Sequence, residues 1–469
     1  MDLNKIHSVY FLGIGGIGMS ALARYFNAMG KKVSGYDKTP TKLTDELIAE
    51  GIAIHFEDHI RNIPVHIKEL PYDIDNILIV YTPAVPKDHS EYVFFNLNGF
   101  NIKKRAEVLG MITQTAHTIA VAGTHGKTTT SSLIAHILKT AGLDPSAFLG
   151  GITQNYNTNL LLSSKLKADT LQQSASNLIV VEADEYDRSF LTLHPQMAVI
   201  TSVDADHLDI YGDKEQVLES FTLFSNQVTS TLVLKKNIAS QINSGKKAIT
   251  YAVNDDAADY FAQNIRIESG TYHFEIVTPA NVFENLVLGL PGLHNVENSV
   301  AAVAIACQMS ISEDVIRKAL ASFSGVRRRF DYHIKSEHLT YIDDYAHHPE
   351  ELKAVISSAK EMYPGKKITG VFQPHLFSRT RDFADDFAKS LDLLDECILL
   401  EIYPARELPI QGVSSQMLLD KMKSANKSIC HKNELIQVLK SKDLQVLMTM
   451  GAGDIDTFIE SIKKELSNK

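Results

Sequence analysis

A glycine-rich segment that also carries a lysine and a threonine, AVAGTHGKTTT at residues 120–130, has the composition of a phosphate-binding loop. An apolar run precedes it and a stretch of helical character follows directly. In such a strand–loop–helix unit, backbone N–H groups and the positive end of the helix dipole can surround a polyphosphate. Lys127 would reach the terminal phosphates, and the Thr128 hydroxyl would bind Mg²⁺. Val121 stands where the usual pattern has its first glycine, but the context favours nucleotide binding over a plain turn.

Two further apolar runs end in acidic residues, as the sheet of an ATPase requires. The polar side chains at these ends are Glu182, Asp184 and Glu185 in the first run, and Asp204, Asp206 and His207 in the second. Ligands of open parallel sheets bind beyond the carboxyl ends of the strands. Because Mg²⁺ prefers oxygen ligands and keeps several waters, these ends are candidates for a metal site beside the phosphate loop.

A second glycine motif, Gly13-x-Gly15-x-x-Gly18, follows the first apolar run, and Asp37 ends the next one. By themselves these residues are typical of an NAD-dependent oxidoreductase, in which the acid bonds a ribose. Other ligands that carry a diphosphate group can use the same turn. An ordinary dehydrogenase has no second phosphate loop, so the second loop favours an ATP-dependent enzyme over a dehydrogenase.

The elements that must position these loops are short apolar runs alternating with stretches of helical period. This alternation predicts an α/β fold with mostly parallel sheets covered by helices. Predicted helices cover Ala21–Met29 and the segment after Pro349, where apolar residues recur on one face. The predicted strands are Ser8–Leu12, Lys32–Tyr36, Asn76–Val80, Thr118–Ala122, Asn177–Val181, Ala198–Val203, Lys367–Phe372, Cys397–Ile402 and Leu444–Met450. Three segments, 1–105, 106–325 and 326–469, each carry such signals and are predicted to be domains.

Composition narrows the classes of partner. The 469 residues carry a formal net charge of −10, which argues against electrostatic binding to nucleic acid or to an anionic membrane. No run approaches the ~18 apolar residues of a membrane span. The three cysteines lack metal-ligand spacing, and the N-terminus lacks the order of a signal peptide. We therefore expect a cytoplasmic protein with neither nucleic acid nor membrane as partner. A monomer or weak homodimer is a separate expectation, which composition does not decide.

The motifs together resemble the bacterial Mur ligase family along nearly the whole chain. The strings that carry the resemblance are FLGIGGIGMS, AGTHGKTTT, VVEADEYDRSF, DADHLDIYG, GLHNVENSVAA, SGVRRRFD, IDDYAHHPEE, FQPHLFSRTRDF, EIYPARELPI and MGAGDI. The resemblance implies a Rossmann-like N-terminal domain for the UDP-sugar, a central P-loop ATPase-type domain with a parallel or mixed sheet, and a Rossmann-like C-terminal domain. It also implies ATP and Mg²⁺ as cofactors, and ligation of L-alanine to UDP-N-acetylmuramate for peptidoglycan precursor synthesis.

The resemblance assigns roles by position. Residues implied to bind the UDP-sugar are Gly13, Gly15, Gly16, Gly18, Asp37 and His125. Residues implied to bind ATP are Gly123, Thr124, His125, Gly126, Lys127, Thr128, Thr129, His294, Asn295, Asn298, Arg328 and Asp343. Residues implied to hold the metal are Thr128, Glu182 and His207. The amino acid would meet His347, His348 and Arg379, and catalysis would rest on Lys127, His348 and Arg379.

These residues suit the chemistry of joining a carboxylate to an amine. Phosphoryl transfer from ATP to the carboxylate would give an acyl phosphate, which the amine then attacks with release of phosphate. Each step gathers negative charge, so the site needs Mg²⁺ and fixed cations such as Lys127, Arg379, Arg381 and the run Arg327–Arg329. His348 would orient the ammonium group of alanine or take its proton.

This chain differs from the family pattern at two places, where residue roles do not transfer from the family. Leu376 stands where several relatives have arginine, and no lysine suitable for carbamylation follows Lys214 until Lys235. One rival is a sister ligase that attaches a recycled tripeptide to the same UDP-sugar, although the FQPHLFSRT string favours the alanine enzyme. A non-catalytic nucleotide-binding regulator has no positive support in the sequence.

Overall fold

The computed structural model describes residues 2–167, 177–204, 211–268, 271–405 and 407–467. It contains three β-sheets with mostly parallel pairing, flanked by helices, which confirms the predicted α/β class. The chain forms two compact units. The first comprises Met1–Asn264, Phe274–Leu286 and Glu297–Phe323, and the second comprises Ile265–His273, Val287–Val296 and Ser324–Lys469. The domain boundaries expected near residues 105 and 325 stay a prediction.

The first sheet belongs to the first unit and is wholly parallel, with strand order β3-β2-β1-β4-β5. Its strands are β1 (Ser8–Leu12), β2 (Lys32–Tyr36), β3 (Ala53–His55), β4 (Ile77–Tyr81) and β5 (Asn101–Lys104). The helices of this region are α1 (Ile17–Ala28), α2 (Lys42–Ala49), α3 (Val65–Lys68), α4 (Ser90–Leu97) and α5 (Arg105–Gln114). Every residue of β1 is buried, as expected of a central parallel strand covered on both faces.

Helix α1 begins four residues before its predicted start at Ala21. Gly16 adopts an extended conformation and caps the helix, which therefore starts directly after the glycine loop. The first turn, which includes Gly18, carries little of the apolar periodicity on which the prediction rested. The early start matters for function because it places the first helical turn at the carboxyl edge of β1.

The second sheet has the strand order β15-β14-β13-β12-β11-β10-β6-β9-β7-β8. Its strands are β6 (His117–Ala122), β7 (Ser146–Thr153), β8 (Thr158–Leu161), β9 (Leu178–Glu182), β10 (Met197–Ile200), β11 (Thr231–Lys235), β12 (Ile249–Val253), β13 (Tyr260–Glu268), β14 (Thr271–Val277) and β15 (Val282–Leu288). The described helices here are α6 (Lys127–Thr140), α7 (Lys214–Gln227), α8 (Leu293–Gln308) and α9 (Glu313–Ser322). Strand β6 lies between β9 and β10 and pairs parallel with both, so the loops that follow these three strands share one edge.

The first two sheets share one apolar core within the first unit. Phe11 and Phe26 of the first sheet region belong to the same buried cluster as Ala120 and Phe148 of the second. The rings of Tyr25 in α1 and Phe148 in β7 lie 5.3 Å apart between centroids. Helix α1 is therefore fixed against the hairpin β7–β8, which the sequence did not predict.

The third sheet belongs to the second unit, with strand order β16-β17-β21-β18-β19-β20. Its strands are β16 (Asp331–Lys335), β17 (Thr340–Asp344), β18 (Ile368–Phe372), β19 (Glu396–Leu399), β20 (Lys427–Ile429) and β21 (Val446–Met450). Strand β16 is antiparallel to β17, and the other pairs are parallel. Its helices are α10 (Pro349–Met362), α11 (Phe377–Asp382), α12 (Ala384–Leu391), α13 (Ser415–Lys421), α14 (Leu435–Lys440) and α15 (Ile459–Leu466).

Helix α10 follows the predicted pattern. Its buried face includes Leu352, Val355, Ile356 and Ala359, which recur at the helical period. Within the described residues, no helix is both long enough and apolar enough to cross a bilayer.

Candidate active site

The predicted phosphate loop joins β6 to α6, and two of its positions require glycine. Gly123 has φ +133°, and a Cβ there would lie 2.1 Å from the Thr201 side-chain oxygen. Gly126 has φ +80° and caps α6, and its Cβ would lie 2.7 Å from Asn298 Oδ1. Asn298, one of the predicted ATP-binding residues, therefore lies directly against this loop.

The loop is fastened to the end of β10. The hydroxyls of Thr124 and Ser202 lie 2.8 Å apart, and the His125 N–H donates to Ser202 Oγ at 2.8 Å. His125 Nε2 lies 3.7 Å from an oxygen of Asp204, the first acid after this strand. These bonds fix the loop backbone before any nucleotide binds, which is the preorganisation that an anion site needs.

Lys127 begins α6, and its ammonium group lies among oxygen atoms. Its Nζ donates to the Gly123 carbonyl at 2.6 Å and lies 2.8 and 2.7 Å from the two carboxylate oxygens of Glu185. Burial disfavours the charged form of Lys127, but attraction to Glu185 and to Glu182 outweighs it and raises the pKa of Lys127. The lysine is thus held as a cation at the mouth of the loop.

Glu182 ends β9 and pairs in register with Val121 of β6, one strand away from the phosphate loop. Its Oε2 accepts the Gly150 N–H at 3.0 Å, and a Cβ on Gly150 would lie 2.3 Å from both carboxylate oxygens. Only glycine therefore fits at position 150 while the carboxylate holds this place.

The predicted metal ligands fall into two groups. Thr128 and Glu182 stand at the ends of the adjacent elements α6 and β9. His207, the third predicted ligand, and Asp206 lie outside the described residues. Among the residues that are described, no three His, Cys, Asp or Glu side chains converge as a metal cluster. A hydroxyl and one carboxylate still fit Mg²⁺, which keeps most of its waters and uses substrate phosphates as ligands.

The glycine loop after β1 is closed by Asp37. The Gly15 N–H donates to Asp37 Oδ2 at 2.7 Å, and the Thr39 N–H donates to Oδ1 at 3.1 Å. A Cβ at Gly15 would lie 2.8 Å from Asp37 Oδ2. Asp37 therefore supports the loop backbone in this structure.

A cavity of about 280 Å³ opens beside this loop within the first unit. It is lined by the first turns of α1, by Phe148 to Gly150 of β7, and by three charged residues, Arg105, Glu182 and Asp184. Arg105 Nη2 lies 3.3 Å from Asp184 Oδ2. The cavity thus connects the glycine loop with the acidic end of β9.

In the second unit, Arg328 is held by the ends of two strands. Its Nε donates to Asp343 Oδ2 at 3.0 Å and its Nη2 to the Gly451 carbonyl at 2.6 Å. Asp343 is fully buried and also accepts the Thr449 hydroxyl at 2.7 Å. Burial raises the pKa of Asp343, although attraction to Arg328 opposes the shift. Here Asp343 orients Arg328, and contact with a ribose stays a prediction.

The two histidines predicted to meet the amino acid lie at the start of α10. His347 Nδ1 is 3.0 Å from the Tyr345 carbonyl and 3.3 Å from Glu351 Oε2. Burial lowers the pKa of His347; Glu351 opposes the shift, and the charge of Arg379 adds to it. A neutral imidazole can accept a proton, and Arg379 lies near enough to act on it. His348 caps α10 and packs edge-on against Phe383.

Two aromatic neighbours extend this cluster beyond the prediction. The His375 ring lies 6.1 Å from that of His347 and stacks on Tyr403 at 5.8 Å between centroids. Leu376 has φ +70°, and its N–H donates to the Tyr403 carbonyl at 3.0 Å. A positive φ is unusual for leucine, so the turn after His375 is held by its bond to Tyr403.

The remaining predicted ATP residues do not all share one unit. His294 and Asn295 belong to the second unit, where the Asn295 amide donates to the Pro291 carbonyl at 2.6 Å, whereas Asn298 belongs to the first. Thr128 and Thr129 are buried in the first turn of α6.

Reasoning from sequence missed several site residues. The sequence predicts Glu185 only as an acid at a strand end, and it predicts no role for Arg105, Gly150 or His375. Glu185 beside the phosphate loop is the available signal for an ion pair, because an acid that is buried there needs a cation as partner.

Comparison with known proteins gives three matched family domains in order. Residues 8–117 match the Mur ligase family catalytic domain, 121–306 the Mur ligase middle domain, and 328–453 the Mur ligase glutamate ligase domain. A UDP-N-acetylmuramate–L-alanine ligase of Flavobacterium psychrophilum is 54% identical over 470 residues, covering 100% of both chains. The enzyme of that name from Parabacteroides distasonis is 51% identical, covering 99% of this chain and 98% of its own.

Solved structures agree with the sequence comparison. The crystal structure of a UDP-N-acetylmuramate–alanine ligase from Thermotoga maritima superposes with a TM-score of 0.81 at 28% identity, covering 98% of this chain and 100% of the other. A murein peptide ligase from Psychrobacter arcticus shares the fold, with a TM-score of 0.70 at 22% identity and 99% coverage of each chain. With three matched domains and relatives above 50% identity over its full length, the chain belongs to the Mur ligase family.

Proposed function

We propose that this protein joins L-alanine to the carboxylate of UDP-N-acetylmuramate, with cleavage of ATP to ADP and phosphate, in the synthesis of peptidoglycan precursors. The relatives of that name at 54% and 51% identity support the choice of substrates. The observation that carries the proposal is the adjacency of the phosphate loop after β6 and the acid-lined cavity at the end of β9. A phosphoryl donor and a sugar acid need such neighbouring sites if one is to phosphorylate the other.

The reaction requires activation of the carboxylate before the amide bond forms. A carboxylate oxygen of the sugar acid attacks the γ-phosphorus of ATP, and the bond from that phosphorus to the β-phosphate oxygen breaks. The resulting acyl phosphate is attacked by the neutral amine of alanine, and the tetrahedral intermediate expels phosphate. Lys127, held as a cation at the loop, stabilises the negative charge that gathers on the transferring group.

Mg²⁺ would be held by Thr128 and Glu182, with His207 as a further candidate, and would supply positive charge to the phosphate oxygens. The other contacts to ATP are assigned to the loop residues Gly123 to Thr129 and to His294, Asn295, Asn298, Arg328 and Asp343. Gly13, Gly15, Gly16, Gly18 and His125 are assigned to the UDP-sugar, with Asp37 supporting the loop that binds it.

The amino acid half of the reaction is assigned to the second unit. His347 has a lowered pKa and is neutral at pH 7, so it can accept a hydrogen bond or a proton from the ammonium group of alanine. Arg379 would bind the alanine carboxylate, and His348 would help orient the amine. We place the reaction in the cytoplasm and assign the protein a monomeric or weakly dimeric state.

The test is an ADP-release assay in which each reactant is omitted in turn. ADP and phosphate are expected only when ATP, Mg²⁺, UDP-N-acetylmuramate and L-alanine are all present. Turnover with the tripeptide L-alanyl-γ-D-glutamyl-meso-diaminopimelate but not with L-alanine would reassign the protein to peptide recycling. Glycine and L-serine serve as controls for the strictness of amino acid selection.

A further inference from the structure

The cavity beside the glycine loop has an unequal distribution of charge. Of its lining residues, Glu182 and Asp184 are acidic and Arg105 is the cation. A UDP-sugar acid brings negative charge on its diphosphate and on its carboxylate. Two carboxylates in the lining would repel such a ligand, so the cavity needs a cation to make binding favourable.

Arg105 stands where it can meet that ligand. It is the first residue of α5, directly after β5, and a Cβ on Gly18 would lie 2.8 Å from its Nη1 and 3.3 Å from its Cζ. Its guanidinium therefore lies against the first turn of α1, the part of the glycine motif that faces the cavity. A side chain larger than that of glycine at position 18 would displace it.

Asp184 fixes the direction of this guanidinium. The ion pair is 3.3 Å long and partly exposed, with 27% of the Arg105 side chain and 43% of the Asp184 side chain accessible. A charge-assisted bond of good geometry is shorter, about 2.7–2.9 Å. The ion pair with Asp184 orients the arginine but is long enough to leave its guanidinium accessible from the cavity. A planar guanidinium is suited to two-point recognition of a phosphate or a carboxylate.

The turn after β9, which carries Asp184, also contacts the phosphate loop. Asp184 pairs with Arg105 in the sugar cavity, and the next residue, Glu185, pairs with Lys127 in the phosphate loop. Each of these two consecutive acids therefore orients one cation. Arg105 therefore stands in the sugar cavity as Lys127 stands in the phosphate loop.

We infer that Arg105 binds an oxyanion of the UDP-sugar, either its diphosphate or the carboxylate that is to be activated, and that Asp184 positions it. The inference rests on the proposed function and specifies which cation of this chain selects the anionic sugar substrate.

The test compares Arg105→Ala and Arg105→Lys with Lys104→Ala. Lys104 is a matched control, because it precedes Arg105 and pairs with Asp187 of the same turn at 3.1 Å but does not line the cavity. Dissociation constants are measured by calorimetry for UDP-N-acetylmuramate, for UDP-N-acetylglucosamine, which lacks the lactyl carboxylate, and for ATP.

Arg105→Ala is expected to weaken UDP-N-acetylmuramate binding about 10- to 100-fold, the usual effect of losing a hydrogen-bonded charge contact. Arg105→Lys should recover part of that loss. ATP binding should change less than about twofold in both variants, which also shows that they fold. An equal loss for both UDP-sugars assigns Arg105 to the diphosphate, and a loss confined to UDP-N-acetylmuramate assigns it to the carboxylate.

Unchanged binding of both UDP-sugars by Arg105→Ala, or an equal loss in Lys104→Ala, would overturn the inference. The wild-type ADP-release assay separates this failure from failure of the proposed function. If the wild-type protein turns over and Arg105→Ala binds the sugar normally, only the role of Arg105 is wrong. If the wild-type protein does not turn over, the proposed reaction is wrong.

Discussion

Lys127 and Glu185 form a buried ion pair in which the ammonium nitrogen lies within 2.8 Å of both carboxylate oxygens. Glu185 is 2% exposed, and its backbone carbonyl accepts the Tyr211 hydroxyl at 2.6 Å. The cation expected to meet the ATP phosphates is therefore already satisfied by the protein. A nucleotide must share Lys127 with Glu185 or displace it, so the pair links phosphate binding to the geometry of the turn after β9.

Replacement of Lys127 by alanine should lower the rate of ADP release by about 10²–10³, the usual cost of removing one preorganised charge from a developing anion. Binding of UDP-N-acetylmuramate, measured by calorimetry, should stay within about twofold of wild type. Lys139→Ala is the control, because Lys139 lies in the last turn of the same helix and contacts the Tyr156 ring. A loss of less than about tenfold, or ~1.4 kcal/mol, would remove Lys127 from the mechanism.

Replacement of Glu185 by glutamine should change the pH dependence more than the rate at neutral pH. Burial disfavours the Lys127 ammonium, and Glu185 is the largest opposing influence that raises its pKa. Without that carboxylate the pKa of Lys127 falls, so the cation is lost at a lower pH as the pH rises. The alkaline limb of kcat/KM for ATP should therefore move to lower pH, and a profile that coincides with wild type would contradict this role.

Replacement of Glu182 by alanine should raise the Mg²⁺ concentration for half-maximal rate by about tenfold or more, because Mg²⁺ has few protein ligands to lose. Gly150, whose N–H the carboxylate accepts, should tolerate this change because alanine leaves space beside it. The exposed Glu219 of α7, changed to alanine, is the control for a general loss of negative charge. Normal Mg²⁺ dependence in Glu182→Ala would mean that the end of β9 holds something other than the metal.

Glu91 gives a prediction about stability. It is fully buried, accepts the Tyr10 hydroxyl at 2.7 Å, and lies 3.2 Å from His55 Nε2. Burial raises the pKa of Glu91 to about 7 from 4.5, so the folded state binds this proton more tightly than the unfolded state. The resulting stabilisation is complete below about pH 4.5 and is lost as the pH rises toward 7.

Glu91→Gln cannot titrate at this position, so its free energy of unfolding should fall less than that of wild type between pH 5 and pH 7.5. The difference should be on the order of 1–2 kcal/mol, allowing for partial screening by solvent. Urea unfolding at the two pH values measures it. Glu57→Gln, at a carboxylate that is 72% exposed, should match wild type at both pH values, and an identical pH slope in Glu91→Gln would refute the assignment.

The parts of the fold that sequence predicted well are those with continuous apolar character. Strand β1 has the predicted ends because a parallel strand buried on both faces is largely apolar. The hairpin β7–β8 and the region β12–β15 were not predicted. Strands β7 and β13 are interrupted by small or polar residues, so neither period is clear in them. Strand β14 does alternate buried and half-buried side chains, a local signal that the prediction did not use.

The candidate site was predictable where the signal is local. The phosphate loop needs glycine at 123 and 126 because both residues have positive φ. A short sequence motif is enough to reveal this requirement. The pairs Lys127–Glu185 and Arg105–Asp184 join residues 58 and 79 positions apart, so no local pattern contains them. Neighbouring strands bring these residues together, and strand order is a property of the whole sheet.

The shared core of the first two sheets has a consequence for hydrogen exchange. Asn159 of β8, fully buried, donates to the Ile17 carbonyl at 2.6 Å, and Phe148 packs on Tyr25, so α1 cannot detach without opening the edge of the second sheet. Amides of β1 and β9 should therefore exchange through one cooperative opening of the first unit. A ligand held only by the glycine loop would slow exchange in the strands around the phosphate loop as well. Protection measured in one sheet would thus report occupancy of a site in the other.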